Sequence, residues 1–253
     1  MDRVAFTLFG IDVMWYGVII AAGLLLGIIL SLKECRRIGF REDTLIDFLL
    51  TVIPVGIICA RLYYVAFTWD DYSQNLVEII NIRHGGLAIH GGLFGGIIAG
   101  LIFCKIRKIN LVRIIDIIAP PVILAQAIGR WGNFVNQEAY GGPTNLPWGI
   151  MVNGVKVHPT FLYESLGNII IFFFLVWYRK HKRKNEGEVF ALYLMLYSVV
   201  RFFVEGLRTD SLMFLGLRTA QIASIGMFLA GLTIFYILRR YKKDKLDDIS
   251  ESK

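Results

Sequence analysis

The chain has 253 residues, 56% of them hydrophobic, with a mean hydropathy of +0.59. That apolar share exceeds the roughly 45–50% of ordinary soluble domains, which excludes a plain water-soluble globular protein and points to a bilayer as solvent. The formal net charge is +7, and the placement of that charge decides whether an acidic partner is needed.

In chain order, seven apolar stretches approach the roughly 20 residues needed to cross a bilayer core: residues 13–32, 44–67, 86–104, 114–130, 160–178, 189–205 and 220–238. The first twelve residues lack a basic region, so no cleavable signal peptide is expected. The linkers "KECRRIGFRED", "KIRKINLVR" and "RKHKRKNEGE" and the tail from Arg239 hold 4, 4, 5 and 6 Lys or Arg. The alternate segments hold only Arg3, Arg83, Lys156, Arg208 and Arg218. Basic loops stay cytoplasmic, which puts the N-terminus outside and the C-terminus inside. The positive charge is then an inner-face bias with some attraction to anionic lipid, and no nucleic-acid partner is expected. The expected fold is an all-α polytopic bundle of seven transmembrane helices. It forms one integral-membrane domain over residues 1–253, with a small extracytoplasmic cap at 131–159. Cys35, Cys59 and Cys104 follow no metal or disulfide spacing and read as free, structural thiols.

Three basic residues fall inside the spans: Arg61, Arg130 and Arg201. His90, Asn133, Asn136, Glu164 and Glu205 accompany them. Ionisable groups in a span cost a few kcal/mol each and usually face a polar interior with a function. With the alternation above, all of these lie at outer ends, whereas Asp47 and Asp116 lie at inner ends. Such convergence predicts an electropositive site near the outer leaflet, and arginine forks suit phosphate. The abundant phosphate of a membrane is a lipid headgroup. Each residue also has a structural reading. Arg130 and Arg201 could be snorkelling anchors, although neither "GRWGNFVNQE" nor "YSVVRFFVE" looks like an anchor. Arg61 is balanced between an intrahelical ion pair and substrate contact, His90 could bond a neighbouring helix, and Glu164 could cap its own. Gly92, Gly96 and Gly100 carry the small-residue spacing of close helix packing. Arg130, Asn133 and Asn136 are expected to form a headgroup-binding turn. Gly129, Gly132, Gly141 and Gly142 would let backbone approach the ligand there.

"HGGLFGG" at 90–96, "GRWGNFVNQEAYGG" at 129–142, "HPTFLYE" at 158–164 and "YSVVRFFVEGLRTD" at 197–210 together resemble prolipoprotein diacylglyceryl transferases. Tyr140 departs from relatives that often carry histidine there. The resemblance implies transfer of the diacylglyceryl group of phosphatidylglycerol to the lipobox cysteine thiol of a preprolipoprotein, forming a thioether and releasing glycerol phosphate. It places the enzyme in the bacterial cytoplasmic membrane, where lipidation precedes signal-peptide cleavage. The positions that match the family's important residues are Tyr16, His90, Arg130, Asn133, Glu138, Gly141, Tyr197, Arg201, Glu205 and Arg208.

On this reading Arg130 and Arg201 clamp the phosphate, while Asn133 and Asn136 bond phosphate or glycerol oxygens. Glu138 and Glu205 orient the arginines. Tyr197 shares the face of Arg201, His90 accepts the thiol proton, and Tyr16, Gly141, Arg208 and Arg61 complete the expected site. The outer cap would guide the lipobox peptide. No metal or cofactor is expected. A transporter or flippase would want paired halves and broken helices, of which only Pro54 and Pro120–Pro121 give a hint. An intramembrane protease lacks its motifs here. A channel would want polar residues along several spans, and the first and last have none.

Overall fold

The structure is a computed structural model that describes residues 3–8, 10–81, 85–209, 213–214 and 216–251. It opens with strands β1 (Val4–Leu8) and β2 (Ile11–Met14), then helices α1 (Trp15–Ile38), α2 (Glu42–Phe67) and α3 (Trp69–Tyr72) and a 3-10 turn at Leu76–Ile79. Helices α4 (Ile89–Arg107) and α5 (Leu111–Asn136) follow, then strands β3 (Ile150–Val152) and β4 (Val155–Val157). Helices α6 (Thr160–His181) and α7 (Glu188–Leu207), strands β5 (Met213–Phe214) and β6 (Leu217–Arg218), and helix α8 (Thr219–Glu251) complete the chain.

Every α-helix except α3 is long and apolar enough to cross a membrane, α8 over Thr219–Arg240. These seven match the seven expected stretches, so the protein is polytopic. Most run further than apolar composition suggested, because charged flanks continue the helix. Arg36 and Arg37 end α1, Lys105 and Arg107 end α4, and Arg179, Lys180 and His181 end α6, where cations complement the helix dipole. Helix α4 instead starts late, at Ile89, because Gly85 and Gly86 hold φ of +87° and +75°. Large apolar side chains such as Leu25, Ile58, Ile106, Ile170 and Phe203 stand more than half exposed, as lipid-facing positions do. The three antiparallel hairpins β1–β2, β3–β4 and β5–β6 are too short to register as hydrophobic periodicity.

Tertiary contacts divide the chain into two compact units, Met1–Lys33 with Ile115–Lys253, and Glu34–Ile114. In the smaller unit α2 packs on α4 through glycine. A Cβ at Gly91 would lie 2.4 Å from the Cys59 carbonyl oxygen, and one at Gly95 would lie 2.4 Å from the Cys59 Cβ. The expected series Gly92, Gly96 and Gly100 has only ordinary contacts at 3.4–3.6 Å. The closest seam therefore runs one residue earlier on the same face. All three cysteines are free, with Cys35 and Cys104 buried.

In the larger unit an apolar core of Ile123, Ile171, Leu175, Tyr178 and Val189 joins α5, α6 and α7. Pro120 and Pro121 lie inside a continuous α5, and Pro54 inside a continuous α2, so neither helix is broken. Pro121 has no N–H for the Ile117 carbonyl one turn back, and Arg179 of α6 donates to that oxygen at 3.4 Å. The fully buried Asp116 accepts the backbone N–H groups of Gly187 and Phe190 at 2.8 and 2.9 Å, capping α7 from α5. Arg183 stands 3.7 Å from the same carboxylate. Glu188, also buried, accepts the Tyr178 hydroxyl at 2.7 Å and pairs with Arg239 of α8 at 3.0 Å. Asp116→Ala is expected to lower stability by about 3 kcal/mol, since it orphans two buried donors and a cation. Thermal unfolding in detergent measures it, and Asp116→Asn should lose less.

Candidate functional site

The larger unit gathers charge where α5, α6 and α7 meet. Helix α5 continues six residues past Arg130 to Asn136, so the expected turn is the last helical stretch instead. The reason is local: neither Gly129 nor Gly132 takes a positive φ, and the first non-helical residue with one is Gln137 at +55°. Helical spacing puts Arg130 and Asn133 on one face. Gly132 serves packing, since a Cβ there would lie 2.6 Å from the Tyr16 ring of α1. This contact brings Tyr16 to the signature helix. Gly141 donates its N–H to the His158 carbonyl at 2.9 Å, and its Cβ would meet the Leu207 carbonyl at 2.9 Å. The close approach at Gly141 is thus to protein backbone, and it joins the segment after α5 to the end of α7.

Glu164, in the first turns of α6 and 2% exposed, lies between the two arginines. Its Oε1 is 2.7 Å from Arg130 and its Oε2 accepts from Arg201 at 3.2 Å. Arg201 also pairs with Glu205 at 2.7 Å, one turn along α7. Arg208 stands 3.9 Å from the Glu205 carboxylate, and Arg218 of β6 donates to the Glu205 carbonyl. Tyr197, one turn before Arg201, lies on the same face of α7. Three guanidiniums thus meet two carboxylates, with Arg218 on the Glu205 backbone, so among the described residues the cluster gathers four arginines around two glutamates. The fully buried Oε1 of Glu164 and Oε2 of Glu205 accept no aligned hydrogen bond. Their contacts with the arginines are held by charge rather than by directed N–H groups.

A second set flanks this one. Asn133 accepts from Arg130 at 3.5 Å and donates to Glu138 at 2.8 Å, and Asn136 donates to the same Glu138 oxygen at 3.4 Å. Glu138 therefore orients the two asparagines, and Glu164 takes the place expected for it beside the arginines. Arg3 also donates to the Asn136 carbonyl at 3.1 Å, which ties β1 to the end of α5. A cavity of about 370 Å³ opens beside this set, lined by Asn133, Phe134, Glu138, Tyr140, Met151 and Phe161 among others.

Two expected site residues belong to the smaller unit. His90 is exposed in the first turn of α4, with its ring 6.4 Å from that of Tyr63. Arg61 is buried and has neither of the partners expected of it. It donates to the carbonyls of Glu78, Ile79, Asn81, Gly85 and Gly86 at 2.6–3.0 Å and stacks over Tyr72. Those five bonds use all five guanidinium N–H groups. Arg61 is a clamp for the stretch leading to α4, and no donor remains for an ion pair or a ligand. Of the residues missed by sequence reading, Arg218 had no signal beyond its charge. Glu164 lay in view within "HPTFLYE", but only tertiary structure shows what it bridges. No group of three or more His, Cys, Asp or Glu side chains arranged to hold a metal occurs among the described residues.

Known proteins have similar sequences. The model of a family described as prolipoprotein diacylglyceryl transferase matches residues 3–237. A Clostridioides difficile protein named phosphatidylglycerol–prolipoprotein diacylglyceryl transferase is 55% identical over 98% of this chain and 100% of its own. Proteins of the same name from Finegoldia magna and Bacillus cytotoxicus are 51% and 49% identical, covering 96% and 95% of this chain and 97% and 93% of theirs.

Two substitutions test the geometry. Glu164→Ala should lower stability by about 3–5 kcal/mol, because it leaves two partly buried cations without their shared partner; chemical unfolding in detergent reads this. Arg61→Lys keeps the charge but loses at least two of five donors. Amide hydrogen exchange from Val77 to Asn81 should accelerate, while exchange in the α7 core stays unchanged.

Proposed function

We infer the reaction from one premise: the chain belongs to the prolipoprotein diacylglyceryl transferase family. It is a bacterial multi-pass membrane transferase. It moves the diacylglyceryl group of phosphatidylglycerol to the cysteine thiol of a prolipoprotein, the first step of lipoprotein maturation. The observation that carries the site assignment is the guanidinium pair, Arg130 and Arg201, bridged by the buried Glu164.

Sulfur attacks the glycerol carbon that bears the phosphate ester, and the carbon–oxygen bond breaks with its electron pair on oxygen. The products are a thioether and glycerol phosphate, and the thiol proton passes to a base. Two barriers follow: the thiol is mostly protonated near neutrality, and the leaving phosphate gains charge where water is scarce. Preorganised donors aimed at developing charge are usually the largest single catalytic contribution. Arg130 and Arg201 supply them, already oriented by Glu164 and Glu205, so little reorganisation is left for the moment of reaction. Arg208 and Arg218 add field from beyond Glu205. Asn133 and Asn136, held by Glu138, offer neutral contacts to the glycerol oxygens.

His90 is our candidate for the thiol-proton acceptor, because an imidazole nitrogen can take a proton and this one is exposed. The alternation of basic loops supports an N-terminus outside, a cytoplasmic C-terminus and a site at the outer leaflet. In that orientation residues 131–159, including the β3–β4 hairpin, form an extracytoplasmic cap.

Protein supplied with phosphatidylglycerol carrying a labelled glycerol headgroup should release labelled glycerol phosphate only when a lipobox peptide with its cysteine is present. Release without peptide would indicate a lipase, and lipid movement without release a flippase. Arg130→Lys and Arg201→Lys should each cut turnover by about 100-fold or more, because a point charge cannot reproduce a fork. Wild-type turnover in either variant refutes the clamp.

A further inference from the structure

The cavity beside the Asn133–Glu138 set has an unusual wall. Ile150, Met151 and Val152 all line it, three consecutive residues of β3. Successive side chains of a strand point to opposite faces, so three in a row line a cavity only when it runs along the strand's edge. The opposite wall is Asn133, Phe134, Gln137 and Glu138, from the end of α5 and the residues after it. A stacked pair, Phe134 and Phe161 at 4.7 Å, contributes apolar surface.

The edge is free for pairing. Register pairs Val152 with Val155, Met151 with Lys156 and Ile150 with Val157, around a turn in which Asn153 and Gly154 have φ of +48° and +80°. Antiparallel pairs alternate between exchanging backbone bonds and facing them outward. On β4 the outward residue is Lys156, whose carbonyl accepts the Thr144 N–H at 2.9 Å on the side away from β3. Its partner Met151 must therefore turn its own N–H and C=O away from β4, along the cavity. Among the described residues no backbone group reaches either of them. Strand β4 is flanked on both sides; β3 is flanked on one.

We propose that the substrate segment around the lipobox cysteine docks as an added strand on the free edge of β3, pairing its backbone with Met151 and seating its side chains in this cavity. The proposal rests on the transferase reading above. Strand addition takes affinity from main-chain bonds and specificity from the pockets beside them, which suits an enzyme that must accept many prolipoproteins. The chemistry of the wall favours peptide over lipid tail, since an acyl chain would leave the Met151 N–H and C=O unpaired. The location favours it too, because residues 137–158 belong to no apolar helix. Continuity with the reacting centre runs through Asn133, which lines the cavity and bonds both Arg130 and Glu138.

The test is a split of the two Michaelis constants, measured on the full chain in phosphatidylglycerol bilayers with a lipobox peptide. Met151→Pro removes the outward N–H without touching the ladder to β4. It should raise KM for the peptide by about tenfold, the effect of roughly one backbone hydrogen bond, with KM for the lipid unchanged. A benzoylphenylalanine placed at 151 should photo-crosslink the peptide, and this arm decides the matter if the proline variant does not fold. Crosslinking to phosphatidylglycerol alone, or a parallel rise in both KM values, reassigns the cavity to lipid and overturns the proposal. Unchanged KM values with no peptide crosslink also overturn it. Failure of the underlying reading looks different: the wild type itself would form no thioether.

Discussion

A single carboxylate holding two guanidiniums apart and in place is the contact on which the site depends. Glu164 contributes one oxygen to Arg130 and the other to Arg201, and those cations come from different helices. Two arginines brought together without an anion would repel each other and lack solvation, so the clamp could not exist preformed. With Glu164 between them the pair is stable before any ligand arrives, and among the described residues arginines outnumber glutamates in the cluster. On the proposed reading, an anionic ester would be attracted to a place already neutral enough to fold and positive enough to bind.

Such a cluster needs helices that cannot drift. In the larger unit α5, α6, α7 and α8 are tied at one end by Asp116 and Glu188, which satisfy backbone donors, Tyr178 and Arg239. At the other end α5, α6 and α7 are tied by the arginine cluster. Between these ends lies a core of Ile123, Ile171 and Leu175, which supplies packing but no direction. Polar ties at both ends and apolar packing in the middle fix the register of helices whose outer faces meet lipid. Lipid is as apolar as leucine and provides no hydrophobic force for helix association, so small-residue contacts and polar ties carry more of that work.

What could be read from sequence followed the cost of charge in an apolar setting. The seven spans stood out because a bilayer demands long apolar runs. Arg130, Arg201 and Glu205 stood out because nothing but function or pairing offsets a charge there. Tyr197 and Glu205 were placed beside Arg201 by helical spacing alone. What failed depended on neighbours from elsewhere in the chain. Sequence reading gave the arginines to Glu138 and Glu205 and left Glu164 as a possible cap, and only packing of α6 on α5 and α7 gives them to Glu164. Arg61 had the same signature as Arg130, but its acceptors are carbonyls 17 to 25 residues away, and carbonyls have no sequence signature. The glycine seam was right in face and wrong in register, since Gly91 and Gly95 sit one residue from the regular series.

The extension of α5 past Arg130 explains how one site can serve a lipid and a peptide. Had the chain turned at Gly129, as apolar composition suggested, Asn133 would not share a helical face with Arg130. Because the helix persists to Asn136, Asn133 holds Arg130 with one end of its amide and Glu138 with the other. Glu138 in turn borders the cavity along β3. In the proposed reaction the phosphate side therefore lies among charges that must stay dry. The thiol must arrive on a backbone that needs hydrogen-bonding partners of its own. One short helical segment, made possible by glycines that admit Tyr16 and Ile20 without breaking the helix, places both environments a single side chain apart.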